Sequence, residues 1–475
     1  MSAHFQVATT QNTYITLDDT MITYLKTSLR GDLITPANPA YEEARKIWNG
    51  LIDKRPGTIV RCMGVADVIT TVNFARDNDL QVAVRGGGHN VAGYAASEGG
   101  LVIDLSRMRS VVVDPVRQTV RVEGGATLGD VDHETHAFGL AVPVGVVSAT
   151  GIGGLALHGG YGWLTRKHGL SLDNILAADI VTADGRLVKA SAGENEDLFW
   201  AIRGGGGNFG VVTSLEFRCH PVGPQVWFSA PFYPLEKGEE GLRFFRDFMT
   251  RAPDELSALA VLWNAPDEHS FPEQARGAPV LILATCYSGP VEEGKRITRP
   301  LREFDTPIAD LSGSMRFVDV QRFFDADYPD GRFYYWKSQY VPDLNDDVIR
   351  LAIRQGVERP SPITSIDIWP LGGAAARIEP GATAFSSRSA SFLYNIESNW
   401  DDAGATDTNI AWTRKAFDEM KRLTKGGTYL NFPGFVEEGE DLVKGAYGTN
   451  YNRLRTVKAK YDPGNLFRGN FNIRS

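Results

Sequence analysis

The sequence predicts an α+β fold assembled from two unlike parts, and three observations carry that prediction. Glycine is concentrated: there are 50 glycines in 475 residues, somewhat above the usual share of about 7%. Their clusters fall in the N-terminal half, directly after runs of strand-forming residues. Around 221–224 the composition changes, and from there to about residue 444 strands and helices interleave with aromatics such as Phe333-Tyr334-Tyr335-Trp336. Beyond Gly445 a helical pattern through Tyr451, Leu454, Val457 and Tyr461 ends at Asp462-Pro463-Gly464, and the tail is rich in asparagine.

The elements follow in order. A helix is expected from Asn38 as N-cap and Pro39 as first helical residue, with Tyr41, Ala44, Ile47, Trp48 and Leu51 on one face. Residues 58–62 read as a strand, 66–76 as a helix with Val68, Ile69 and Val72 inward, and 81–84 as a strand entering Arg85-Gly86-Gly87-Gly88-His89-Asn90. Residues 101–105 form another apolar strand, and 111–113 with 119–122 form a hairpin around Asp114-Pro115. A helix over 128–138 follows. Glycines then crowd between Pro143 and Gly162, with 151–156 read as lying between loops. Asp184-Gly185 joins strands over 177–182 and 186–188. A helix over 197–202 stops at the next glycines, and 211–217 is again a strand.

Hydrophobic residues at 43%, charged at 23% and aromatic at 10% support a sizeable core and exclude disordered, collagen-like and coiled-coil classes. Lys+Arg 49 against Asp+Glu 58 gives a net charge of -9, the wrong sign for nucleic acid or an anionic membrane surface. A small-molecule partner is expected. Cys62, Cys219 and Cys286 are odd in number and never paired as C-x-x-C. They support neither a disulfide framework nor a zinc site, and a reducing cytoplasm is the expected location. Residues 1–24 lack a basic and apolar leader pattern, and no apolar stretch approaches about 20 residues. Oligomeric state is left open.

Gly86-Gly87-Gly88 after a strand lets backbone N–H groups approach a phosphate without Cβ obstruction. Gly151-Ile152-Gly153-Gly154, Gly159-Gly160-Tyr161-Gly162, and Gly204 to Gly207 with Gly210 extend that logic to one long pyrophosphate ligand. The spacing is not that of a Rossmann dinucleotide loop, which needs strand, glycines, helix and a later acidic residue. His133 and His136 lie three apart on a helix with no third ligand nearby, so no metal is expected. No G-x-S-x-G elbow, Walker loop or H-E-x-x-H occurs.

Those loops, with Arg166-Lys167-His168-Gly169-Leu170, Asp173-Asn174, and Tyr447-Gly448-Thr449-Asn450-Tyr451 followed by Asp462-Pro463-Gly464-Asn465-Leu466-Phe467, resemble the berberine-bridge-enzyme-like branch of the vanillyl-alcohol-oxidase flavoproteins. The resemblance implies a two-part FAD-binding domain, residues 1–222 and 446–475, around an inserted substrate domain, 223–445, whose antiparallel sheet roofs the flavin. It implies FAD attached through a ring nitrogen of His89. The cofactor would lie among Arg85, Gly86, Gly87, Gly88, His89, Asn90, Gly93, Pro143, Gly145, Thr150, Gly151, Gly153, Gly154, Gly160, Tyr161, Gly162, Asn174, Gly210, Val211, Val212, Asn470 and Asn472. Bicovalent relatives carry a cysteine before the second glycine cluster. Here a valine stands there, so attachment through His89 alone is implied. Thr150 occupies a gate position where a small β-branched residue favours oxygen access, which points to an oxidase.

Hydride removal from a C–O or C–N bond needs a base near the reacting carbon. In the alternating run 391–398, Asn395 and Glu397 project to one face and Phe392, Tyr394 and Ile396 to the other. The resemblance gives Glu397 and Tyr429 as candidate bases, Asp367 or Glu397 as helpers to Tyr429, Tyr161 as a substrate-side wall and Lys337 as a roof residue. Trp369, Phe333 and Tyr335 are expected to form an aromatic pocket. Relatives have a histidine where Ser387 precedes Arg388. The expected activity is an oxidase of a small alcohol, amine or secondary-metabolite intermediate, giving peroxide from oxygen. The alternatives are a dehydrogenase or oxidative cyclase with another acceptor, a sugar or oligosaccharide oxidase, and a non-catalytic flavin carrier.

Overall fold

In the computed structural model, which describes residues 5–267, 271–437 and 439–474, the first part of the chain builds a mixed four-stranded sheet. Residues 1–4, read above for a leader, lie outside the described residues. Thr58–Arg61, Leu101–Asp104 and Val82–Arg85 run parallel, and Asp32–Ile34 joins antiparallel at the edge. The strands are short and β-branched because both faces are covered. Val60, Val82, Leu101 and Ile103 pack under the helix Val65–Asp77, through Val68, Val72 and Ala75. On the other face Ile59, Ala83 and Val102 meet Tyr41 and Ala44.

The helix expected over 38–51 is much shorter. Asn38 caps Ala40 N–H at 2.9 Å, and the helix runs only Tyr41–Arg45 before Lys46 turns extended. Tertiary contacts override the apolar periodicity. Trp48 stacks between His89 and Tyr334, with ring centroids 3.9 and 3.7 Å away. The Asn49 amide donates to Val91 O and Tyr334 O at 2.8 and 2.9 Å. A continuing helix would aim these side chains elsewhere.

The second sheet is antiparallel, in the order Leu187–Ser191, Ile175–Val181, Val211–Arg218, Thr119–Glu123, Val111–Asp114. Both expected hairpins are present, and Gly185 adopts the positive φ of +80° that its turn requires. The helix Leu128–His136 starts in a reciprocal cap between Thr127 and Asp130. Among the described residues no group of side chains has the arrangement of a metal site. The stretch 151–156 is helical rather than loop: Ile152–Leu157 forms a short helix whose Ile152, Ala156 and Leu157 are buried.

The later part of the chain forms one large antiparallel sheet. Along it run Ala309–Asp310, Pro231–Pro234, Pro279–Tyr287, Leu256–Asn264, Ser365–Pro370, Phe392–Trp400 and Phe333–Val341. Gln225–Ser229 and Gly313–Arg316 branch beside them. Its strands alternate strictly. Leu256, Ala258, Ala260 and Leu262, with Ile366, Ile368, Tyr394 and Ile396, face the amphipathic helices Gly238–Met249, Asp346–Glu358 and Thr406–Leu423. The intervening residues face the glycine loops.

After the helix Tyr451–Tyr461 the chain returns to the first sheet, where Leu466 and Phe467 join the core around Val82. The turn is organised by a fully buried ion pair, Lys458 Nζ to Asp462 Oδ2 at 2.6 Å. Lys458 also donates to Asn208 O and Phe467 O, while Asp462 accepts from the N–H groups of Leu466 and Phe467. Every charge there is hydrogen-bonded, as burial demands. No helix among the described residues is long and apolar enough to cross a membrane.

Candidate active site

A cavity of about 960 Å³ lies between the glycine loops and the large sheet. Its floor holds Gly86, Gly87, Gly88, His89, Asn90, Gly145, Thr150, Gly151, Gly153, Gly154, Gly210, Val212 and Asn470. Its roof holds Glu397, Asp367 and Trp369, and Tyr161 and Tyr429 stand at the side. Residues from the first, middle and last stretches of the sequence thus meet around one space.

The glycines of the floor serve two purposes. Gly87 and Gly151 let two loops touch backbone to backbone: a Cβ on Gly87 would stand 2.5 Å from Gly151 Cα, and one on Gly151 would stand 2.4 Å from Gly87 N. Gly154 has nothing within 4 Å of its missing Cβ, so its backbone is bare toward the cavity. The N–H groups of Gly87, Gly88 and His89 have no acceptor among the described residues.

His89 is half-buried and stacked on Trp48, and its buried Nε2 has no hydrogen-bond partner among the described residues. Burial pushes its pKa down to about 3, so the imidazole is neutral and keeps a lone pair. His158 was not foreseen. Its Nδ1 lies 3.1 Å from Gly154 O, its buried Nε2 has no partner among the described residues, and burial lowers it to about 4. The buried Oδ1 of Asn470 is likewise unpartnered there, as is that of Asn472. Bare amides, glycine backbone and unpaired polar atoms fit a long anionic dinucleotide with a polar ring.

Other expected residues stand behind the lining. The Arg85 guanidinium donates to Ala44 O at 2.5 Å and Ala95 O at 3.3 Å. Gly93, at φ +72°, turns against Ile52, and Gly162 gives passage to Val144 O, 1.9 Å from where a Cβ would be. Asn174 bonds His168 O, Leu170 O and His220, while Val211 is core. Pro143 and Asn472 are not on the cavity wall either. Gly160 acts through its N–H, which donates to Tyr429 Oη at 2.8 Å.

On the roof, Asn395 and Glu397 share a face, and Asn395 Nδ2 donates to Glu397 Oε1 at 2.5 Å. Tyr328 Oη donates to Glu397 Oε2 at 2.5 Å. Asp367 lies on the neighbouring strand, paired in register with Asn395. Burial first, and the Asp367 carboxyl second, push Glu397 well above the usual carboxylate range. Burial carries Asp367 up to about 7, with the Ser365 hydroxyl opposing and Asp327 adding to the rise. Two such carboxyls retain a proton between them near neutrality.

Tyr429 does not engage Asp367 or Glu397. Its Oη accepts from Gly160 N–H and from Asn431 Nδ2, both at 2.8 Å, and burial raises its pKa to about 12. Two inbound donors leave the phenol proton to the cavity. Of the expected aromatic pocket, Trp369 lines the cavity but Phe333 and Tyr335 do not, because on that strand Trp336 takes the cavity side. Tyr335 bonds Glu437 instead. Lys337 is buried away from the cavity, with Nζ 3.3 Å from Glu437 and 4.8 Å from the centre of the Phe417 ring. Arg388 forms a buried two-pronged pair with Asp173 at 2.6 and 2.7 Å, beside Ser387. Tyr328 and Asn431 sit in aperiodic loops, which is why no sequence pattern announced them. His158 did have a signal, a histidine directly before a glycine pair.

Known proteins resemble this chain in sequence and fold. Residues 56–191 match the family described as FAD binding domain, and residues 428–474 match that described as berberine and berberine like. An uncharacterised FAD-linked oxidoreductase of Bacillus subtilis is 31% identical over 454 residues, 93% of this chain and 96% of that protein. The (R)-6-hydroxynicotine oxidase of Paenarthrobacter nicotinovorans is 31% identical over 472 residues, 94% and 97% of the two chains. The crystal structure of 6-hydroxy-D-nicotine oxidase from Arthrobacter nicotinovorans superposes with a TM-score of 0.83 at 29% identity, covering 94% of this chain and 98% of that one. The chain belongs to the berberine-bridge-enzyme-like family of FAD-linked oxidoreductases.

Proposed function

We propose that the protein is an oxidase that removes a hydride from a C–O or C–N bond of a small apolar-bodied alcohol or amine and passes the electrons to oxygen. The observation that carries this is the opposition of a proton-holding carboxyl pair, Asp367 and Glu397, to a glycine floor bearing an unpaired neutral His89, across one cavity. FAD, when bound, supplies the hydride acceptor.

The division of labour follows the fold. Residues 1–222 and 446–475 hold the cofactor, and residues 223–445 supply the roof. Amides of Gly87, Gly88 and His89, with the bare backbone at Gly154, would hold the pyrophosphate. His158 and Asn470 offer polar atoms to the rest of the cofactor. His89 Nε2, neutral and unpaired, is the attachment atom, and no cysteine stands at a second attachment position. Asp367 and Glu397 take the substrate hydroxyl or amine proton, with Tyr328 and Asn395 fixing Glu397. Tyr429, aimed by Gly160 and Asn431, donates a hydrogen bond to the substrate heteroatom. Thr150 on the floor is small enough to leave oxygen access. Three buried free cysteines suit a reducing cytoplasm.

Acid precipitation of wild type and His89→Ala, followed by intact mass and absorbance, tests attachment: flavin stays with the wild-type pellet and is released from the variant. Mixing reduced enzyme with air tests the acceptor. Reoxidation within seconds with peroxide formed supports the oxidase, whereas flavin that stays reduced in air and yields only to a quinone or dye replaces it with a dehydrogenase.

A further inference from the structure

Resting on the reading that His89 carries the flavin, we propose that Trp48 is a positioning residue for that attachment: its indole holds the His89 ring in the plane from which Nε2 faces the cavity, and it is held there in turn by the large sheet.

The contacts are specific. The Trp48 and His89 rings stack with centroids 3.9 Å apart and planes 17° from parallel. A histidine's second side-chain torsion is broad on its own, but a ring-nitrogen lone pair lies in the plane of the ring, so a partner that fixes the plane restricts where the lone pair points. The indole is itself fixed. Tyr334, on the strand Phe333–Val341, stacks on its far face at 3.7 Å and 13°. Trp336 meets it edge-on at 5.3 Å. The indole N–H donates to Tyr328 O at 2.9 Å, which stops the ring from turning within its own plane. The backbone on either side of His89 is tied to the same segment: Trp48 N–H donates to Gly88 O at 3.3 Å, and the Asn49 amide donates to Val91 O at 2.8 Å. Trp48 is 3% exposed and does not line the cavity, so it reaches the cofactor through His89.

Attachment joins Nε2 to the carbon of the flavin 8α-methyl group. One methyl C–H proton and the imidazole N–H proton leave, the electron pair of the broken C–H bond passes to the flavin ring, and oxygen takes up that pair with the two protons as peroxide. The rate turns on how well the lone pair is aimed at the methyl carbon, and a misplacement of about 1 Å costs on the order of 100-fold.

The test uses the full-length chain made under riboflavin limitation, loaded with FAD in air and sampled over time. Acid precipitation and intact mass give the acid-stable share of the bound flavin, a ratio that a loss of folded protein does not move. Trp48→Phe keeps a stacking ring without the indole N–H and is expected to attach flavin within about three-fold of the wild-type rate. Trp48→Leu and Tyr334→Leu are expected to bind FAD but to attach it about ten-fold or more slowly. Leu262→Ala, fully buried on the helix-packed face of the sheet, is the control that loses stability and keeps the wild-type rate. Attachment by Trp48→Leu at the wild-type rate, or equal slowing in Leu262→Ala, overturns the proposal. If Trp48→Leu binds no FAD, Tyr334→Leu decides, and a wild-type rate there overturns it. Wild-type protein that releases all its flavin to acid sinks the attachment reading itself and the proposal with it, whereas failure of the proposal alone leaves wild type attached.

Discussion

A carboxyl that is buried beside another carboxyl keeps its proton to unusually high pH, and Asp367 and Glu397 are such a pair. Only a pair that has lost at least one of its protons can accept one from the substrate. Flavin reduction by a competent substrate is therefore expected to accelerate as pH rises through about 7, and Asp367→Asn is expected to flatten that limb in rapid-mixing traces. The linkage runs the other way for stability. The folded pKa of Asp367 lies above its ordinary 3.8, so its contribution is fully present below 3.8 and is lost as pH rises toward 7. Asp367→Asn is thus expected to raise the Tm of the apoprotein at pH 8; an unchanged or lower Tm there would mean that the carboxyl is not held neutral by burial. Glu397 and Asn395 were legible in the sequence because strand alternation alone places them on one face. Tyr328, which completes the carboxyl's hydrogen bonds, was not, since a loop residue has no period to betray its direction.

At the scale of elements, the glycine-rich segments separate into those that let loops meet and those that leave backbone bare. Gly151→Ala drives a methyl into Gly87 N at 2.4 Å, so the two loops must part; this variant is expected to lose both thermal stability and flavin. Gly154→Ala adds a methyl where nothing lies within 4 Å. It is expected to fold with an apoprotein Tm close to wild type and to retain less flavin, measured as the ratio of visible to ultraviolet absorbance. Equal flavin content in the two variants would count against this division. The edge strand Asp32–Ile34 was not foreseen, but the other strands of the first two sheets and both hairpins were predicted within about three residues, because their apolar runs and turn residues are local signals. The helix over 38–51 was overpredicted, since a Trp48 needed between His89 and Tyr334 outweighs the propensity of its neighbours. The helix Ile152–Leu157 was missed because Gly153 and Gly154 within it, and Gly151 before it, suggest a loop.

For the whole molecule, the decisive object is a sheet with two unlike faces, one packed on helices and one open to the cavity. Leu262 lies on the first and is fully buried, so Leu262→Ala is expected to cost about 2–5 kcal/mol of stability. Leu259 is on the second. Leu259→Ala enlarges a space that already exists, so urea unfolding is expected to show a smaller loss while the range of accepted substrates widens. Comparable losses in the two variants would refute the asymmetry. The change near residues 221–224, after which the strands of the large sheet begin, was legible in the composition, but the cavity was not, because its walls come from strands and loops far apart in sequence. The alternation also bears on descent. Along each roof strand every second residue can change without disturbing the helix-packed core, so lineages that inherit this scaffold can drift toward new chemistry in single steps while the intervening positions stay under purifying selection. Divergence between such proteins is therefore expected to alternate along Leu256–Asn264, Ser365–Pro370 and Phe392–Trp400 rather than to gather in any one segment.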